Sequence, residues 1–374
     1  MREGWEYKKL GECTQILDSQ RKPVTKKDRK EGVYPYYGAT GIQDYVDKYI
    51  FEGRYVLVGE DGAKWGAFDK SAFIIDGKTW VNNHAHVLKP FEPLVDSYLT
   101  YYLNHSDLNG FISGAIVRKL TQSSLKNIKI PLPPKSTQLA IVSELDKINE
   151  LIRLKKEQLK DFDNLAQSLF YEMFGDPVEN EKGWEVKKLN NICDVRDGTH
   201  DSPKYLQNSE YILITSKNIV NGSIDFENVN YISEEDYIKI NKRSKVDNGD
   251  IIMPMIGTIG NPIIAHIDGT HKFCIKNVAL IKFLADSTVN NMFIVNLMRC
   301  SSFSSYLLNQ NKGGTQKFVA LGAIRKLPIP LPPLPLQHLF AQRIEQIEHQ
   351  KSEVQKAITD LETLLASRMQ YWFE

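Results

Sequence analysis

The strongest apolar pattern lies in the middle of the chain. Between Gln138 and Phe174 there is neither proline nor glycine. Leu145, Ile152, Leu159, Ala166 and Met173 recur every seven residues, and Ile148, Phe162 and Leu169 fill most of the interleaved positions, with Lys155 as the exception. A stripe at this spacing predicts a long helix with one face made for another helix, stopped by Gly175-Asp176-Pro177. Shifted by 199 residues, the stripe returns as Ile344, Lys351, Ile358, Leu365 and Trp372, interleaved with Ile347, Val354, Leu361 and Arg368. Elsewhere, Tyr55-Val56-Leu57-Val58, Ala72-Phe73-Ile74-Ile75, Tyr211-Ile212-Leu213-Ile214 and Asp250-Ile251-Ile252-Met253 predict short buried strands ended by Gly, Asp or Pro. Tyr98 to Leu103 and Met292 to Met298 read as helices at matching places.

The 199-residue shift belongs to a repeat of the whole chain. Gly4-Trp5-Glu6-Tyr7-Lys8-Lys9-Leu10 recurs as Gly183-Trp184-Glu185-Val186-Lys187-Lys188-Leu189, and Ile130-Pro131-Leu132-Pro133-Pro134 recurs as Ile329-Pro330-Leu331-Pro332-Pro333. Each half therefore runs from a Gly-Trp-Glu opening through a variable globular stretch to a proline-rich break and a long helix. The ends match and the middles diverge, as in one frame carrying two different readers. The first helix leaves the first globular stretch and ends at the second, so a pairing helix that leaves the second must run back. The expected fold is α/β (α+β): globular domains at 1–135 and 176–334, long helices at 136–175 and 335–374, an antiparallel coiled coil, and a pseudo-two-fold relation. At 1.5 Å per residue, 37 helical residues span about 55 Å.

Composition narrows the class. The chain has 374 residues, 47 Lys and Arg against 46 Asp and Glu, and 42% hydrophobic residues, which fits two or more folded domains and argues against a polycation that coats nucleic acid. The balance is uneven: the globular stretches 1–135 and 175–334 carry 38 basic and 33 acidic side chains, the helical segments 9 and 13. Cys13, Cys193, Cys274 and Cys300 lie far apart, which excludes a zinc ribbon and disfavours a disulfide framework. With no signal-peptide core and no run of eighteen apolar residues, the expectation is a cytoplasmic protein with no membrane span.

Catalytic signals are missing. There is no GxGxxG or GxxxxGK[ST] loop and no Asn/Asp-Pro-Pro-Tyr methyltransferase motif. Gly257-Thr258-Ile259-Gly260 reads as a turn between strands. Glu6-Tyr7-Lys8 and Glu185-Val186-Lys187 fit the ExK of metal nucleases, but only five residues precede Glu6, too few to supply the partner Asp. His84 and His86 have metal-ligand spacing on one strand face without an evident third ligand, so no metal is assigned. The two PxxP-like breaks read as rigid joints ahead of helices.

What remains is recognition chemistry. Residues Arg21 to Lys30 hold six cations in ten positions, including Lys22, Lys26 and Lys27, and Tyr37, Lys64, Trp65, Asn83, His84, Arg118 and Lys119 follow. The second globular stretch offers Thr199, His200, Lys204, Thr215, Lys217, Asn218, Arg243, Lys245, Lys312 and Lys317. Lys and Arg neutralise phosphates, and Asn, Thr, Ser and His read base edges, so these residues are the candidate DNA contacts.

The duplicated opening, and the duplicated Ile-Pro-Leu-Pro-Pro followed by Gln138 or Gln337, resemble the specificity subunit of type I restriction-modification enzymes over essentially the whole chain. So do the approaches to the break, Gly114 to Lys119 and Gly313-Gly314-Thr315-Gln316-Lys317. The resemblance implies a non-catalytic subunit in which each domain reads half of a bipartite site in double-stranded DNA. It further implies helices that set the spacer and dock two methyltransferase subunits, with restriction subunits added. S-adenosylmethionine, ATP and Mg²⁺ would then belong to those partners. Because the two readers differ, the target is expected to be asymmetric. The competing reading is a protein-protein adaptor with two binding domains on a coiled-coil rod.

Overall fold

The computed structural model describes residues 5–220, 222–257, 259–284, 287–309 and 318–374. The chain forms two compact units, Met1–Glu157 with Gln355–Glu374, and Gln158–Val354.

In the first unit the two sequence markers prove to be hydrogen-bonded neighbours. Strand Glu6–Lys9 pairs antiparallel with Lys129–Leu132, placing Tyr7 opposite Pro131. A two-stranded ribbon tolerates that proline because one edge of each strand needs no N–H partner. Behind it stands a four-stranded sheet in which Thr14–Ile16, Ala85–Pro90, Tyr55–Gly59 and Ala72–Ile75 are successive neighbours. Its central run is apolar on both faces because both faces are covered. Val56, Val58 and Leu88 pack with Tyr98, Leu99 and Leu103 of helix Asp96–His105, whereas Leu57, Val87 and Ile75 pack towards a second sheet. That sheet orders Gly41–Val46, Glu31–Gly38, Lys78–Val81 and Phe51–Glu52, with Tyr36 and Tyr37 parallel to Trp80 and Val81.

The second unit repeats this frame. Glu185–Lys188 pairs with Pro328–Leu331, and Asp194–Asp197, Val278–Lys282, Ile251–Pro254 and Ile263–Ile264 form the four-stranded sheet. Ile251, Met253 and Ile281 face helix Asn291–Arg299, and Ile252, Val278 and Leu280 face the other way. The variable part differs. Its second sheet has three strands, Asn230–Ile232, Tyr211–Ile214 and Lys272–Ile275, and helix Glu234–Ser244 covers it through Tyr237 and Ile240. All six expected strands and helices are present.

The long helices run Lys135–Phe174 and Leu334–Phe373. Each starts under a buried glutamine. Gln138 accepts from Val95 N at 2.8 Å and donates to Pro93 O and Pro133 O; Gln337 accepts from Asn290 N at 2.9 Å and donates to Thr288 O and Pro332 O. Within each unit the helical segments pack antiparallel. In the first, Glu144 meets Arg368 and Lys156 meets Glu362. In the second, Asp163 meets Lys351, and Phe170 and Phe174 meet Phe340. Two cations that break the seven-residue stripe, Lys351 and Arg368, thus pair with acids of the opposing helix.

The stripe needs one correction. At the far ends the structure buries Phe170, Phe174 and Met369, each one residue beyond the stripe positions Leu169, Met173 and Arg368. A straight helix drifts by about 20° per heptad, so four heptads turn its face by about 80°, close to the 100° between successive residues.

Candidate nucleic-acid interface

In each unit, loops that leave the ends of the four-stranded sheet converge. In the first unit they are the segment after Ile16, the segment after Gly59, and Asn82 to His84. Their meeting point is ionic. Arg21 donates to Glu60 at 2.5 Å and to Ala85 O at 2.7 Å, and lies 3.4 Å from Asp18. Lys119 reaches Glu60 at 2.6 Å. The ring of His86 meets Asp18 at 2.6 Å and Leu120 O at 2.7 Å. Burial by itself raises the Asp18 and Glu60 carboxyls. The hydrogen bond from His86 and the charge of Arg21 at Asp18, and those from Lys119 and Arg21 at Glu60, outweigh it and hold both below their ordinary values.

The histidine pair departs from the expected arrangement. His84 precedes the strand that starts at Ala85, is exposed, and meets Asp61 at 2.5 Å. His86 is interior. Asp18, Glu60 and His86 bring ligand atoms within 4.8 Å of one another. Arg21 and Lys119 already occupy the carboxylates and Leu120 O the second ring nitrogen, so the trio fits a structural ion cluster and not a cation site.

The sheet ends of the second unit carry a different set. Asp197 bridges His200 Nε2 at 2.7 Å and Arg243 Nη2 at 2.6 Å, and His200 Nδ1 lies 2.9 Å from Asn277 Oδ1. The Asn277 hydrogen bond, then the Asp197 carboxylate, raise the His200 pKa. Asn277 sits at φ +56°, which an asparagine tolerates. A side chain on Gly198 would lie 2.4 Å from Ile275 O, so only glycine lets this loop approach. Lys276 donates to Ser202 at 2.6 Å, and Thr199 pairs with Lys276. Thr199, His200, Ser202, Lys239 and Arg243 line an open recess of about 440 Å³.

The expected contact residues divide accordingly. Lys22, Lys26, Lys27, Lys64, Asn83, His84 and Arg118 are exposed in the first unit, as are His200, Lys204, Lys217, Arg243 and Lys245 in the second. Lys119, Thr199 and Thr215 are half-buried at the same edges.

Three expected contacts face inward. Trp65 is buried and its indole donates to Gly59 O at 3.0 Å. Asn218 is buried and closes a turn through Thr215 and Asn228. Arg21 belongs to the ion cluster. Tyr37 packs on Phe73 with ring centres 5.9 Å apart. Lys312 and Lys317 lie outside the described residues. Asp18, Glu60, Asp61, Lys276 and Asn277 were not expected. Apart from the contact between Asp18 and Arg21, the partners named above lie 23 to 77 residues away.

Comparison with known proteins places this geometry. A profile of the type I restriction modification DNA specificity domain matches residues 2–161 and 181–363. A putative type I restriction enzyme specificity subunit of Haemophilus influenzae is 28% identical over 92% of this chain and 87% of its own length. The MjaVIII specificity subunit of Methanocaldococcus jannaschii is 23% identical over 97% and 92%. The crystal structure of a type I restriction-modification S subunit from M. genitalium superposes with a TM-score of 0.57 at 13% identity, covering 99% of this chain and 96% of that one. A chain solved in work on complex assembly and conformational transition of the type I restriction-modification system gives 0.58 at 16%, covering 100% and 98%. These likenesses show a shared fold. Among the described residues no helix is long and apolar enough to cross a membrane.

Proposed function

Since the chain belongs to the type I restriction-modification DNA specificity family, we propose that each unit reads one half of an asymmetric bipartite site in double-stranded DNA. The observation that carries this reading is the repeated frame with unlike loops: both units gather loops at the same sheet ends, and the side chains gathered there differ. Exposed Lys22, Lys26, Lys27, Lys64 and Arg118, and Lys204, Lys217 and Lys245, are assigned to phosphates, as is His200, whose ring nitrogens are held by Asp197 and Asn277; Asn83, His84 and Thr199 are assigned to base edges. The paired helices would set the spacer and dock two methyltransferase subunits, and exposed Leu151 and Leu154 on the first helix suit such a contact. Methyl transfer from S-adenosylmethionine, and ATP- and Mg²⁺-dependent restriction, we assign to partner subunits. Our reading also places the protein in the cytoplasm.

The test is selection from randomised duplexes with the full chain and its methyltransferase partner. Enrichment of two unlike half-sites at a fixed separation is expected. No enrichment at moderate salt refutes the reading.

A further inference from the structure

We infer that the hairpin tip between Ser113 and Lys119 is an apolar wedge that inserts Ile116 between base pairs of the half-site read by the first unit. The inference rests on the DNA-reading proposal above and adds a contact of a different kind. Ile116 is 98% exposed and Val117 64%, and Ile116 is the most exposed large apolar side chain among the described residues.

The tip is built to hold that exposure. Ile112–Ser113 pairs with Lys119–Leu120. Gly114 turns the chain at φ +96°, where an added Cβ would lie 2.1 Å from Val117 O, so only glycine closes the turn. Arg118 donates to Asn109 Oδ1 at 2.6 Å, a neutral acceptor.

The base of the hairpin is fixed to the candidate interface. Lys119 pairs with Asp61, Leu120 N donates to Glu60 O at 2.8 Å, and Asp61 meets His84. An apolar point beside a cation, on the ridge that carries the reading loops, has the chemistry of side chains that unstack a base step while cations hold the flanking phosphates. In the second unit Ile256 pairs with Phe318, and Val319 N donates to Met255 O. That correspondence sets Thr315 opposite Ile116 in sequence, so the wedge belongs to one half-site only.

The test uses the full chain with its methyltransferase partner and the selected duplex, carrying 2-aminopurine at each step of the first half-site in turn. Wild type is expected to raise fluorescence at one step. Ile116→Ala should abolish that rise and weaken binding by at least about tenfold with the salt slope unchanged, and Ile116→Leu should restore both. Arg118→Ala should instead lower the slope by about one. If wild type binds its split site and I116A binds equally well with the same fluorescence, the wedge is refuted and the DNA reading stands. If I116A separates from the methyltransferase partner in gel filtration, the tip is a protein contact and the wedge is again refuted. If wild type selects no split site, the DNA reading fails and the wedge with it.

Discussion

Glu60→Ala removes the carboxylate that ties Arg21 to Lys119. The side chains of Glu60 and Arg21 are only 9% and 11% exposed, so the mutation leaves a guanidinium inside the unit without its closest partner. Breaking a buried pair in this way costs about 3–5 kcal/mol. Arg21 keeps Asp18 at 3.4 Å and Ala85 O at 2.7 Å, and Lys119 is 42% exposed and can turn to water, so the loss should fall at the low end, about 3 kcal/mol. For a unit of this size that is about 6–12 °C in melting temperature. Calorimetry of the full chain measures it. Glu52→Ala, which breaks an exposed pair with Lys78 at 3.9 Å, is the control and should stay within about 0.5 kcal/mol.

The pH dependence follows from the same contacts. The folded Asp18 and Glu60 carboxyls lie below their ordinary values. Their contribution is therefore complete above the unfolded pKa, about 4, and disappears as pH falls through the folded values. E60A should flatten that acid-side loss. Because Arg21 also bonds Ala85 O next to the reading loop, selectivity should relax at the first half-site and persist at the second. A shift below about 2 °C, or equal relaxation at both half-sites, would sink the argument.

Four further outcomes are expected. His200, its pKa raised by Asn277 and Asp197, should carry its positive charge to higher pH than an ordinary histidine; affinity for the second half-site should fall as pH rises through that raised value, and His200→Asn should remove the dependence in a pH series of binding titrations. Gln138→Ala and Gln337→Ala each leave a part-buried N–H, one buried carbonyl and one part-buried carbonyl without their partner and should each cost about 2 kcal/mol in urea unfolding. Replacing Lys26 and Lys27 by Ala should weaken binding to all duplexes and lower the salt slope by up to about two, and an unchanged slope would place that loop off the DNA. Deleting seven residues from both helices in register removes about 10 Å; the selected spacer should shorten by about three base pairs with both half-sites kept.

Much of the frame is legible in the chain because its signals are local. The seven-residue stripe, the Val-Leu-Val and Ile-Ile-Met strands and the duplicated markers reflect periodicity and turn chemistry within a few residues. The candidate interface was legible only by residue type. Exposed Lys26, Lys64 and His84 could be chosen as cations or readers, but so could Trp65, Asn218 and Arg21, which fold inward.

Sequence alone determined that there are two like halves, each a variable globular part followed by a helix, with unlike variable parts on a common frame. Tertiary structure decided that each Gly-Trp-Glu opening pairs with its own proline-rich break, Tyr7 against Pro131 and Val186 against Pro330. It also decided that the helix faces turn by one residue at their far ends, and that Asp18, Glu60, Arg21, Lys119 and His86 form one cluster. The reason is physical. Periodicity is written in neighbouring residues, whereas the sign of a buried charge's environment depends on which distant segments the closed chain brings within 3 to 4 Å.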